Sequence, residues 1–322
     1  MTLISRGLAA TALLFLLAAC PDRNDDPEAP AAVTTPPISS TARVACGLSD
    51  SFIHKTKHDG NRKVLWNADA MVFRSNYAVN TDGAPNSYHP DDPKGENGLA
   101  INTICNGANA YTATGEKLNY SKCTRLRRVF ERVRQDGWDA HPTRRMEFYG
   151  VAPKPGSGKR VPCINDDPAW AGYFVSQTRF AVDPTLGNCK QEKYLNSLTQ
   201  PFLIVPRKSK FTREGVGQGD LAVSYHVPSG RIVFGMIGDV GPNWGLGEGS
   251  VFTNQQLRGV AHLPKTKNET YGYGARDVVT VFLPNENYAG PYTTAGIDAA
   301  ASAAFDRFGG LERLQACAAE LP

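Results

Sequence analysis

The stretch Leu221-Ala-Val-Ser-Tyr-His-Val-Pro-Ser-Gly-Arg-Ile-Val-Phe-Gly-Met-Ile-Gly-Asp239 decides the fold. Two runs rich in β-branched and aromatic residues, Leu221–Val227 and Arg231–Ile237, flank the turn former Pro228-Ser229-Gly230, which is a hairpin signal. Working outward, Met71–Tyr77, Tyr173–Phe180, Phe202–Val205 and Asp277–Leu283 read as further strands. Helices are fewer. Thr124–Gln135 carries Leu126, Val129, Phe130 and Val133 at the spacing of an amphipathic helix, with Ser121 or Thr124 as its cap and Gly137 just past its end. Ile297–Phe308 and Leu311–Leu321 are alanine-rich and helical, broken at Gly309-Gly310. Strands following strands argue for a mainly β, α+β domain and against a doubly wound nucleotide-binding sheet. Gly215, Gly217 and Gly219 precede a strand, so the helix N-terminus of a phosphate loop is missing.

The N-terminus reads as a targeting segment. Arg6 precedes an apolar run from Leu8 to Ala19, the pattern of a secretory signal over residues 1–19. Leu17-Ala18-Ala19-Cys20 resembles the bacterial lipobox, which implies lipidation of Cys20 and an outer-membrane anchor on the periplasmic or surface side. Residues 20–43, rich in Pro, Ala, Ser and Thr, have little to bury and read as a flexible tether. Six cysteines follow: Cys46, Cys105, Cys123, Cys163, Cys189 and Cys317. An even number in an exported chain points to disulfides, and six cysteines allow many connectivities. The pairing expected is Cys105–Cys123, Cys163–Cys189 and Cys46–Cys317, the last stapling the ends of the domain. No C-x-x-C spacing suggests zinc. His54 and His58 stand four apart, as zinc ligands on a helix can, but lack the metalloprotease glutamate. No metal and no cofactor are expected.

Net charge is +4. That is close to balance and gives no case for nucleic acid, which wants a concentrated basic stripe. Arg125, Arg127, Arg128, Arg132 and Arg134 read as the solvated face of a helix. A monomer is expected.

The chemistry concentrates downstream of the hairpin, in Met236-Ile-Gly-Asp-Val-Gly-Pro-Asn-Trp-Gly-Leu-Gly-Glu-Gly-Ser250. Asp239 and Glu248 stand nine apart in a glycine-dense segment with Trp244 between them. Two acids so placed suit glycoside hydrolysis, which needs a proton donor and a base or nucleophile. Trp244 reads equally as a sugar-stacking face or a plug at one end of the domain. A second polar segment, Asn80 to Asp92, packs turn formers around Asp82, Tyr88 and His89; His89 reads as a loop-ordering residue.

Together these segments resemble glycoside hydrolase family 75, the fungal-type chitosanases and their bacterial relatives. Asp-Gly-Ala-Pro-Asn-Ser-Tyr-His-Pro at 82–90 looks like the family's Asp-Gly-Ala-Pro-x-Ala-Tyr-His-Pro. Gly172-Tyr-Phe-Val-Ser-Gln-Thr178, Pro201-Phe-Leu-Ile-Val-Pro206 and Gly217-Gln-Gly-Asp-Leu-Ala-Val223 follow in family order. Gly-Asp-Val-Gly-Pro at 238–242 and Gly-Glu-Gly-Ser at 247–250 complete the set. The resemblance covers about residues 70 to 260 and implies that residues 44–322 form the catalytic domain. It also implies that Asp239 and Glu248 are the essential acids of an inverting mechanism, and that Asp82 and Tyr88 line the cleft. Two departures stand out. Gly98-Leu-Ala-Ile-Asn-Thr-Ile-Cys-Asn106 replaces the family's Gly-Leu-Asp-Tyr-Leu-Ala-Asn-Ala-Gly, and a cysteine-bearing helical insertion lies between Tyr111 and Gly172.

The resemblance implies a β-1,4-linked amino-sugar polysaccharide such as chitosan; peptidoglycan is the alternative an envelope location favours. A non-catalytic carbohydrate-binding or structural lipoprotein on the same scaffold is the reading from another class. Asp239, ending a strand, is expected to be the more buried acid and so the proton donor, with Glu248 as base; the reverse assignment stays open. Gly219-Asp220 and Gly238-Asp239, each adjoining a strand, suggest a six-stranded barrel of double-psi type by analogy with other glycan-cleaving lipoproteins.

Overall fold

The computed structural model describes residues 44–57 and 59–322. The expected signal peptide, Cys20, the tether and His58 lie outside those residues.

The domain is α+β and mostly strand. Its strands are β1 (Asp50–Lys55), β2 (Asn61–Trp66), β3 (Met71–Ser75), β4 (Ala78–Asn80), β5 (Ala108–Tyr111), β6 (Lys117–Leu118), β7 (Arg145–Phe148), β8 (Phe202–Pro206), β9 (Asp220–His226), β10 (Arg231–Gly241), β11 (Glu248–Ser250) and β12 (Val278–Asn287). The helices are α1 (Ile104–Gly107), α2 (Cys123–Gln135), α3 (Lys210–Arg213), α4 (Val251–Arg258), α5 (Lys267–Tyr271), α6 (Thr294–Phe308) and α7 (Gly310–Ala319).

Nine strands form one curled sheet in the order β1-β2-β3-β12-β9-β10-β8-β11-β4, and β6-β5-β7 form a small second sheet. The larger sheet stands in place of the expected six-stranded barrel: the pairing begins at β1 and ends at β4, which leaves a half-barrel. The quoted hairpin is present, with Arg231 opposite His226 and Met236 opposite Leu221. Alternation along β3 explains the two cores. Val72 joins Val223, Val281, Ile297 and Phe305 under α6, while Met71 and Phe73 face the other way with Ala222, Phe282 and Phe211. A period of two is what sends neighbours in a strand to opposite faces.

Other expectations shift. Tyr173–Phe180 is not a strand; it makes only isolated bridges, Phe174 to Ile164 and Ser176 to Val151. Its β-branched and aromatic residues are buried by helix packing instead: Phe174 joins Phe130, Leu126 and Val133 of α2 and Phe148 of β7. Helix α2 starts one residue early, and Lys122 occupies its cap without a side-chain bond, so neither Ser121 nor Thr124 caps it. Arg125, Arg128 and Arg132 lie on its exposed face as expected. The break between α6 and α7 falls at Gly309, whose φ of 109° is a left-handed conformation that glycine adopts without strain. His54 lies on β1, not on a helix, and no cluster of three metal-ligating side chains occurs among the described residues.

The cysteines pair as expected: Cys46 with Cys317, Cys105 with Cys123, and Cys163 with Cys189. Cys105–Cys123 fastens α1 to the start of α2. Cys46–Cys317 ties the segment before β1 to α7 across 271 residues, the long-loop case in which a crosslink restricts the unfolded chain most. No helix of the described residues is long and apolar enough to cross a membrane.

Peptide mapping of the unreduced protein should return those three crosslinked pairs. The double variant Cys46→Ala/Cys317→Ala should lose about 2–5 kcal/mol of stability, read from urea unfolding, with a steeper slope because the uncrosslinked unfolded chain exposes more surface.

Candidate active site

Strand β10 runs parallel to β8, and its register slips at one place. Ile237 faces Leu203, but Asp239 faces Ile204, so Gly238 is an extra residue in the ladder. Such a bulge re-aims the side chains beyond it; without it Asp239 would turn to the opposite face. Only glycine fits there, because a Cβ on Gly238 would collide with Leu195 and stand 2.7 Å from the Cβ of Phe202. On the far side of β8, Gly249 of antiparallel β11 faces Leu203. Extending that register by one residue sets Glu248 opposite Ile204. Asp239, Ile204 and Glu248 therefore occupy one row across three strands and project to the same side. Two strand spacings separate the acids' backbones by about 10 Å.

Strand β4 closes the site from the other edge. It pairs parallel to β11, with Asn80 opposite Ser250 and Ala78 opposite Glu248. The Asn80 amide donates to Glu248 Oε1 at 3.0 Å and also helps to hold down the proton affinity of Asp239. Two residues on, the Asp82 backbone N–H donates to Asn80 Oδ1 at 2.8 Å, and Asp82 brings a third carboxylate to the cluster. Asp239 is buried; Asp82 and Glu248 are half-buried, so the cluster is reachable from solvent.

Each acid holds its proton more tightly than an ordinary carboxyl. Burial raises Glu248 to about 7, aided by the Asp239 charge and opposed by the Asn80 hydrogen bond. Burial raises Asp239 to about 6. Two backbone donors, Val240 N–H at 2.8 Å and Arg179 N–H at 3.0 Å, temper that rise because they favour the ionised form. Asp82 lies well above the usual carboxylate range, first from burial and then from the Asp239 charge; the hydroxyl of Tyr88, donating to Asp82 Oδ1 at 2.7 Å, opposes this. The more buried Asp239 is not the weaker acid: an aspartic carboxyl starts below a glutamic one, and two backbone N–H groups offset part of its burial.

Tyr88 is 1% exposed, too deep to touch a ligand, and acts on the cleft through Asp82. Glycines make room for this pair: a Cβ on Gly150 would lie 2.8 Å from Asp82 Oδ1 and 2.9 Å from the Tyr88 hydroxyl. Trp244 is 40% exposed, so it is not a plug. It lies against a second cleft whose walls include neither Asp239 nor Glu248. His89 does order its loop, accepting the Asp91 backbone N–H at 3.1 Å and resting edge-on against Tyr173.

Several members of the site were not legible in the sequence. Asn80 is one. Asn102 is another: its amide donates to Thr81 Oγ1 at 2.6 Å and to the Tyr88 hydroxyl at 3.2 Å, while its carbonyl accepts from Tyr271 at 3.2 Å. Asn106 donates to the Tyr271 hydroxyl at 2.7 Å. The departing segment Gly98–Asn106 therefore supplies amides to the site. Tyr149 and Tyr271, 44% and 40% exposed, feel the charges of Asp82 and Glu248 respectively, and burial of their hydroxyls raises both well above the ordinary phenol. Tyr271 is joined to the site through the amides of Asn102 and Asn106.

In comparisons with known proteins, no family model matches the chain and no curated protein matches it.

Proposed function

We propose that this domain is a glycoside hydrolase that cleaves a β-1,4-linked amino-sugar polysaccharide with Asp239 and Glu248 as its two acids. The observation that carries the reading is the shared row on the sheet: two carboxyls with raised proton affinities, one of them bonded by Asn80 and half-open to solvent. At near-neutral pH, Glu248 keeps its proton long enough to donate it to the leaving glycosidic oxygen. Asp239, held as a carboxylate by two backbone N–H groups, accepts a proton from water on the opposite face of the sugar. Asp82 and Tyr88 set the electrostatics of the pair, and Tyr149 and Tyr271 supply faces for sugar stacking. Inversion is the outcome proposed, and the anomeric configuration of the first-formed product, read by NMR, decides it. The chain is proposed to work as a monomer in the exported cell envelope, anchored through Cys20; three disulfides fit an oxidising compartment.

Asp239→Asn and Glu248→Gln should each lower reducing-end release from chitosan by at least about a hundredfold. Near-normal turnover by either variant would sink the assignment. Peptidoglycan assayed beside chitosan separates the two substrate classes. No hydrolysis of either, with glycan binding unchanged in the double variant, would instead favour the carbohydrate-binding reading.

The pH profile of kcat/KM, which reports the free enzyme, should be narrow. Activity should rise as Asp239 ionises through about 6 and fall as Glu248 loses its proton through about 7. A profile flat from pH 5 to 8 would reject this pairing of roles.

A further inference from the structure

A second cleft, of about 280 Å³, is walled by β1, by α3 with the turn before it, and by the β10–β11 loop. Its walls carry Lys55, Lys208, Lys210 and Arg213 and no acid. Elsewhere a number of arginines and lysines are matched by acids, among them Arg74 with Asp277, Arg125 with Glu116 and Arg307 with Glu286. None of the four cleft cations makes an ion pair among the described residues. Lys210 is held instead over the rings of Phe52 and Trp66, its ammonium 5.0 Å and 4.4 Å from their centroids. A fifth cation, Lys57, sits 5.3 Å over the Trp244 ring.

The wall formed by β1 also holds His54, which is 7% exposed. Burial lowers its proton affinity and a hydrogen bond with the Gly245 backbone opposes this, so His54 ties β1 to the loop that carries Trp244. Trp244 adds an exposed aromatic face at the mouth, and rings of this kind pack on sugar. Cations without acids select negative charge. An exposed indole beside them selects a ligand with an apolar face, as a pyranose has and a bare anion has not.

We propose that this cleft binds an anionic saccharide, with its charged group among Lys55, Lys208, Lys210 and Arg213 and a sugar ring against Trp244. Asn243 and Trp244 belong to the loop that joins the strand of Asp239 to the strand of Glu248. A polycation such as chitosan is the wrong charge for the cleft; a glycan bearing carboxylates or phosphates is the right one. The claim concerns binding and stands apart from hydrolysis.

The test uses the full chain carrying Asp239→Asn and Glu248→Gln, so that nothing is cleaved. Titration calorimetry and tryptophan fluorescence are followed with trigalacturonate, a phosphorylated disaccharide, chitotriose and inorganic phosphate. Trigalacturonate or the phosphorylated sugar should bind, and the better of the two identifies the anionic group. Affinity should fall as salt rises. Lys55→Ala/Arg213→Ala, both surface positions, should weaken binding at least tenfold, and Trp244→Ala should weaken it while abolishing the fluorescence change. Circular dichroism checks that each variant is folded. Preference for chitotriose, binding of inorganic phosphate as tight as that of either sugar, or affinity indifferent to the Lys55/Arg213 change would each overturn the proposal. Failure here with hydrolysis intact would leave the acids' role standing, and the converse holds equally.

Discussion

The geometry of the acids hangs on one backbone irregularity, the extra residue at Gly238 in the β8–β10 ladder. A parallel ladder in regular register would alternate Met236, Gly238 and Val240 on one face and Ile237 and Asp239 on the other. The slip breaks that alternation. Ile237 stays in the core while Asp239 turns to the row it shares with Ile204 and Glu248. The neighbouring strands accept the slip because Gly238 has no side chain where Leu195 and Phe202 crowd the backbone, and because its carbonyl takes the Phe180 N–H at 3.2 Å. Glycine is thus required here for lack of space. At Gly309 it is required for φ.

Gathering three carboxyls opposes folding, and the chain offsets this with neutral donors more than with cations. Asn80, the backbone N–H groups of Val240 and Arg179, and the Tyr88 hydroxyl satisfy the oxygens; Arg179 is the one cation that acts on Asp239. A guanidinium paired with each acid would pull its proton affinity down, as Arg125 and Lys122 do for Glu116, held at about 2. Neutral donors instead leave Glu248 and Asp239 titrating near neutrality, where proton transfer in both directions is useful. The cost follows from linkage. Both acids bind protons more tightly folded than unfolded, so the stability they contribute is complete below the ordinary carboxyl pKa, about 4. It is lost as pH rises through about 6 and 7. The paired surface acids, such as Glu116, work in the opposite sense at lower pH.

Much of the frame was legible in the sequence because local physics fixes it. The Leu221–Asp239 hairpin, α2 and the alanine-rich C-terminal helices follow from periodicity and turn chemistry, which act within a few residues. The cysteine pairing also emerged as expected. What was hidden depends on residues far apart in the chain. Asn80 reaches Glu248 only because β4 and β11 pair in parallel, 168 residues apart, and no spacing rule connects them. Tyr149 and Tyr271 look like ordinary surface tyrosines until the fold sets them beside Asp82 and Glu248. Tyr173–Phe180 shows the converse failure: its composition suits a strand, but the burial it needs comes from α2 and β7, so no ladder forms. Glu248 and Asp239 were identifiable as acids, yet their order of proton affinity was not, since it turns in part on backbone donors that the sequence does not display.

A net charge of +4 conceals two opposed local fields. The acids Asp82, Asp239 and Glu248 gather on one face of the β10–β11 region, where their ionisation near neutral pH makes it progressively negative. Trp244, four residues before Glu248, stands among lysines and an arginine in a cleft without acids. The loop Pro242–Gly247 therefore spans a change of sign over a few residues. At physiological ionic strength such fields persist for about 8 Å, so each cleft presents its own charge to a ligand with little cancellation from the other. A polymer with uniform positive charge would be drawn to the acids and repelled by the lysines, and a uniformly negative one the reverse.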